Sequence, residues 1–224
     1  GAAGIGKSRL VAEAKALQSP ESRLDQEVGG ADLPPSQNGT AQTVRWVEGR
    51  WLSYAQAGAY AGWRELLRQL LGLGEDCSRS ACAMLEDRVG VTCPEKVADI
   101  TPYLTRLLAL PEDAASAARL DSLLEAGLLQ GAIFRAVGDL LACVARRTPL
   151  VVVLEDLHWA DEASLALLSH ILALTDRVSL LLITVLRPAR DHGAWRLREL
   201  VARDYAHRHT DLRLQPLSVE ESHR

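Results

Sequence analysis

Apolar residues recur along this chain in two rhythms. Leu10, Val11, Ala14 and Leu17 repeat at three- and four-residue steps and predict a helix over residues 7–18. Trp63, Leu66, Leu67, Leu70 and Leu71 do the same and predict one over 63–73. Residues 77–145 keep the helical rhythm but are interrupted by Pro94, Pro102 and Pro111. Four or five helices are expected there, the longest over 120–146 on Leu123, Leu124, Leu128, Ile133, Phe134, Val137, Leu140, Leu141 and Val144. The second rhythm is continuous. Leu150-Val151-Val152-Val153-Leu154, bounded by Pro149 and by acids, has the composition of a strand buried on both faces. Residues 179–184 predict a second buried strand, with a helix over 164–174 between the two. A strand over 43–51 rests on Val44, Trp46 and Val47; a helix over 195–207 and a short strand over 211–214 close the pattern. The Gly/Pro-rich polar stretch 28–40 is expected to be a surface loop. Strands alternating with helices predict an α/β fold, a parallel sheet covered on both faces.

The first eight residues change this from a fold class to a chemistry. Gly1-Ala2-Ala3-Gly4-Ile5-Gly6-Lys7-Ser8 fits the phosphate-loop pattern G-x-x-x-x-G-K-[ST] at every fixed position. Glycines let backbone amides converge on phosphate oxygens, Lys7 reaches the β- and γ-phosphates, and the Ser8 hydroxyl is a magnesium ligand. Arg9 opens the following helix, whose N-terminal amides and dipole also favour an anion. Gly1, Gly4, Ile5, Gly6, Lys7, Ser8 and Arg9 are therefore the expected binding residues for ATP with Mg2+. A buried strand normally leads into such a loop. Here the loop starts at the first residue, and Ser218 with Glu221 has the spacing of a helix start near the other end. Both ends thus read as boundaries of a piece of a larger protein, lacking its first strand.

A second motif supplies acids. Four apolar residues run into Glu155-Asp156, a Walker B pattern, and strand ends in parallel sheets face the ligand. Glu155 is expected on the magnesium side and Asp156 as the group that accepts a proton from, or orients, the attacking water. The usual order of fast ATPases is Asp then Glu, so the inversion puts rapid turnover in doubt. The strand ending at Thr184 and the following Arg187-Pro188 stand where a γ-phosphate sensor would lie. The competing reading has Thr184 capping the strand and Arg187 solvated.

Bulk properties narrow the partners. With 224 residues, 48% hydrophobic and 24% charged, the chain is long enough for one good core and ordinary for a globular domain. A net charge of −4 provides no global field for nucleic acid or an anionic membrane. No apolar run reaches the roughly 18 residues of a membrane span. Cys77, Cys82, Cys93 and Cys143 lack paired spacing and read as free thiols of a cytoplasmic protein. His207-Arg208-His209 has no carboxylate cluster nearby and reads as surface rather than metal site.

Leu154-Glu155-Asp156-Leu157-His158-Trp159-Ala160-Asp161, Leu186-Arg187-Pro188 and Leu212-Arg213-Leu214-Gln215-Pro216-Leu217-Ser218 together resemble the AAA-type, origin-recognition-like ATPase domain of STAND signalling proteins. Such modules accompany class III adenylate/guanylate cyclase domains or precede LuxR-type DNA-binding domains. Trp46-Val47-Glu48-Gly49-Arg50, with Ser53-Tyr54 and Tyr60, resembles the cyclase-associated subgroup. The resemblance covers nearly the whole chain. It implies a P-loop NTPase of the ASCE/AAA type with sheet order 5-1-4-3-2, Walker B on strand 3 and the sensor on strand 4. One domain would then span 1–224, with 77–146 a helical insertion in it. Its implied partners are ATP/ADP, cyclase, TPR-like or DNA-binding domains of the same parent chain, and a second copy in nucleotide-dependent self-association. His158, Trp159 and Asp161 belong to the family signature, while Trp159 also reads as core and Asp161 as a helix N-cap. A small-molecule phosphotransferase with its acceptor held by 77–146, and a binding-only scaffold, are the rival functions.

Overall fold

The computed structural model describes residues 5–17, 43–52, 58–74, 78–125, 127–187 and 193–215. Gly1, Gly4, the 28–40 stretch, Ser53, Tyr54, Cys77, Pro188 and everything from Pro216 onward lie outside the described residues.

Three strands form one parallel sheet: β1 (Arg45–Arg50), β2 (Leu150–Glu155) and β3 (Leu180–Thr184), in the order β1-β2-β3. The ladder sets Arg45 opposite Leu150 and Arg50 opposite Glu155; on the other side Leu150 faces Leu180 and Leu154 faces Thr184. These are strands 2, 3 and 4 of the expected order, adjacent as expected. β2 lies between the other two and buries all six residues, as its unbroken apolar run requires. With helices flanking this sheet, the chain has the mixed α/β architecture of a P-loop NTPase.

Eight α-helices are described: α1 (Lys7–Ala16), α2 (Ala61–Leu71), α3 (Arg79–Thr92), α4 (Val97–Leu107), α5 (Ala114–Glu125), α6 (Leu129–Arg147), α7 (Glu162–Leu172) and α8 (Gly193–Asp204). α2 lies close against β1. A Cβ on Gly49 would collide with the Gly62 carbonyl, and one on Gly62 would come within 2.7 Å of the Trp51 ring. The apolar face of α2 then fills the core with Trp63, Leu66, Leu67 and Leu70. α6, with Val137, Leu140, Leu141 and Val144 buried, is the central helix of the block, packing on α3, α4, α5 and α7. Pro102 is the sixth residue of α4, where it removes the amide that would bond the Ala98 carbonyl, yet the helix continues through it to Leu107.

Four expectations need correction. The helix expected over 120–146 is two helices, since Gly127 adopts φ 69° and its amide caps Leu124 while that of Leu128 reaches Leu123. β3 is not buried on both faces: Leu181 is 54% exposed, and among the described residues nothing pairs with its far edge. Residues 211–214 form no strand. They have no ladder partner among the described residues, and Asp211 is instead held by Arg198. Trp159 is not core but 43% exposed, lying on a 3-10 turn that follows the left-handed Asp156.

Candidate active site at the ends of the strands

β2 and β3 end side by side, and their ladder runs on past the strands. The Val185 amide donates to the Leu154 carbonyl (2.8 Å) and the Leu157 amide to the Val185 carbonyl (3.0 Å). Between these bonds Asp156 takes the left-handed conformation, φ 53°, which aspartate tolerates better than most side chains. A loop held so on both sides fixes where Asp156 and Val185 lie.

On the facing wall, Gly6 adopts φ 85° at the start of α1 and its carbonyl accepts from the Leu10 amide at 2.9 Å. A Cβ at Gly6 would touch nothing within 4 Å, so the glycine serves backbone conformation and not space. Lys7, Ser8 and Arg9 follow at the mouth of the helix. Gly6, Lys7, Ser8, Arg9, Asp156, Val185 and Arg187 line one cavity of about 360 Å³, a size in the usual range for small-molecule sites. Three cations, one hydroxyl and one carboxylate suit a polyanion bound together with a metal ion.

The expected residues divide at this cavity. Gly6, Lys7, Ser8, Arg9, Asp156 and Arg187 come together in its wall. Ile5, half-buried beside Gly6, and Thr184, exposed at the end of β3, are not among the lining residues. Glu155 is also outside it. Its side chain, 9% exposed, is paired with the Arg50 guanidinium at the end of β1. Arg50 was legible only as part of a resemblance. Its position at the end of a strand parallel to the Walker B strand was the signal that would have brought the two together.

In the segment that follows β2, Asp161 caps α7, accepting from the Ser164 amide at 2.9 Å and the Ser164 hydroxyl at 2.7 Å. It also accepts from the Tyr60 amide at 3.2 Å, which ties the approach to α2 onto the loop after β2. The Tyr60 phenol is raised above its ordinary pKa by burial. His158 is buried with its ring 5.0 Å from that of Trp159. His207 lies on the surface 3.2 Å from Asp176, and no group of His, Cys, Asp and Glu suited to a metal occurs among the described residues.

A family model described as AAA ATPase domain matches residues 1–183. An uncharacterized protein of Rhizobium meliloti (strain 1021) is 33% identical over 110 residues, a stretch covering 49% of this chain and 10% of that protein. The match thus spans about a tenth of that relative's length. No solved structure matches the chain. Among the described residues, no single helix is long and apolar enough to cross a membrane.

Proposed function

The chain belongs to the AAA ATPase domain family, and from that premise we propose that it is an ATP-binding, slowly hydrolysing nucleotide switch in a larger signalling or transcriptional regulator. The observation that carries this reading is the convergence of Lys7, Ser8, Arg9, Asp156 and Arg187 on one cavity. Lys7 would neutralise the β- and γ-phosphates and Arg187 the terminal one, as charge-assisted donors. Ser8 and Glu155 would hold magnesium, which supplies Lewis-acid polarisation of the phosphate oxygens when bound. Asp156 would accept the proton of the attacking water on a carboxylate oxygen. An aspartate there reaches one methylene less far than a glutamate, which favours slow turnover and a long-lived ATP state. ATP and ADP would then select different assemblies with other domains of the parent chain, of cyclase, TPR-like or DNA-binding type, or with a second copy. The phosphotransferase reading calls for an acceptor site over the phosphates, and no described residue of the helical region 77–146 lines this cavity.

The test is calorimetry and turnover on the full-length protein. Lys7→Ala should abolish ATP binding, and unchanged affinity would sink the assignment. Asp156→Asn should keep affinity and lower turnover by about 10²–10⁴-fold, the usual contribution of a general base. If Glu155→Gln stopped hydrolysis while Asp156→Asn retained it, the two roles would be exchanged.

A further inference from the structure

Glu155 presents a difficulty that its neighbour does not. It is the last residue of β2 and nearly enclosed, and a carboxylate so placed needs a cation. The cation it has is not in the cavity. Arg50 stands opposite Glu155 in the parallel register, and its Nη2 donates to Glu155 Oε2. We propose that Arg50 is an internal counter-ion that holds Glu155 when no metal is bound and must release it for magnesium, so that Arg50 sets the magnesium requirement of nucleotide binding. The inference rests on the nucleotide-binding reading and adds a positioning residue to it.

Three features make Arg50 a releasable partner rather than a fixed one. First, the backbone around it is pinned independently of the guanidinium. The Arg50 amide donates to Glu65 Oε2 at 3.1 Å and the Trp51 amide to the Glu155 carbonyl at 3.3 Å, so the strand end stays in place whether or not the side chains are paired. Second, exposure is asymmetric, with the Arg50 side chain 51% exposed and that of Glu155 9%. The guanidinium can swing into water at little cost, whereas Glu155 must find another cation. Third, the next residue already faces the cavity. Asp156 lines it beside Ser8, and its left-handed backbone turns the chain between the two acids. Glu155 is one residue from that wall, and the proposal requires its side chain to leave Arg50 and turn toward it when magnesium binds. Two cations therefore compete for one carboxylate, and the weaker the arginine's hold, the less magnesium is needed.

The experiment measures ATP binding to the full-length protein as a function of Mg2+, for wild type, Arg50→Met, Arg50→Lys and Glu155→Gln. Arg50→Met should lower the Mg2+ midpoint about tenfold, corresponding to about 1.4 kcal/mol of lost competition, and leave ATP affinity in chelator unchanged. Arg50→Lys, keeping the charge, should restore a midpoint near wild type. Glu155→Gln should remove most of the magnesium dependence. A second readout needs no nucleotide: MgCl2 alone should raise the melting temperature of Arg50→Met but not of Arg50→Met/Glu155→Gln. Equal midpoints in wild type and Arg50→Met would overturn the inference. Should Arg50→Met not fold, a wild-type magnesium profile in Glu155→Gln would overturn it equally. Wild-type and Lys7→Ala proteins that bind ATP alike would instead sink the nucleotide reading, and the melting shift with MgCl2 would still decide the pairing.

Discussion

β2 buries every one of its six residues and α1 buries none of its ten. The two elements bear the two halves of the same proposed site. β2 is clamped between β1 and β3 and covered by helices, with α6 contributing eleven buried residues to the same core. α1 is tied to the sheet by Lys15 and Glu48, 2.6 Å apart with both side chains 43% exposed. An exposed pair of this kind contributes about 0–1 kcal/mol. Among the described residues, burial is thus concentrated on the acid side of the cavity and slight on the phosphate-loop side. Substitutions on the two sides should therefore separate cleanly, into losses of folding free energy and losses of binding.

The largest effect tests the packed side. Trp63 is fully buried and donates from Nε1 to the Ser164 carbonyl at 3.1 Å. Trp63→Ala should cost about 3–5 kcal/mol, the range for large aromatic truncations, read as a lower urea midpoint. A loss below 1 kcal/mol would mean that the core is far looser than its burial indicates. Asp161→Ala comes next, removing the α7 cap and the Tyr60 anchor together. It should cost about 1–2 kcal/mol, and Asp161→Asn should recover part of that. On the thin side, Leu10→Ala trades a 47% exposed leucine for a better helix former. Its effect should stay within about 0.5 kcal/mol, and a larger loss would show that α1 is covered in solution.

Much of this division was legible from residue order. The unbroken β-branched run 150–154 pointed to a strand enclosed on both faces, and the alternation of strand and helix to a parallel sheet. The phosphate-loop and Walker B motifs lead to the same cavity because strand ends and helix starts gather at one edge of such a sheet. What composition could not carry was context beyond the local pattern. Leu180-Leu181-Leu182 is as apolar as β2, but exposure depends on whether an element covers it, and Leu181 is left open. Gly127 lies inside a periodic apolar stretch, and only its positive φ marks the break between α5 and α6. Asp161 and Tyr60 are a hundred residues apart, so their bond has no local signature. The two acids of the Walker B motif are adjacent in sequence but end in different surroundings, one beside Arg50 and one beside the phosphate loop.

The smallest effect probes segment 205–215, which Arg208 also fastens to Asp176 and to the Thr175 carbonyl. Its tie to α8 is Arg198, whose guanidinium lies over the Trp195 ring at 4.6 Å and bonds Asp211. Arg198, with Arg213 adding to it, holds the Asp211 carboxyl below the ordinary aspartate range. A carboxyl depressed in the folded state stabilises that state above its unfolded value, near pH 4, and the contribution fades as pH falls through the lower folded value. Asp211→Asn should therefore cost a small amount of stability at pH 6–7 and almost nothing near pH 2, with the gap closing across the interval between. Since the Asp211 side chain is 34% exposed, water and salt screen the pair, so the gap should also shrink in high salt. Paired urea titrations of wild type and Asp211→Asn across that range measure it. A gap that widened on acidification would mean that the Arg198 contact is absent in solution.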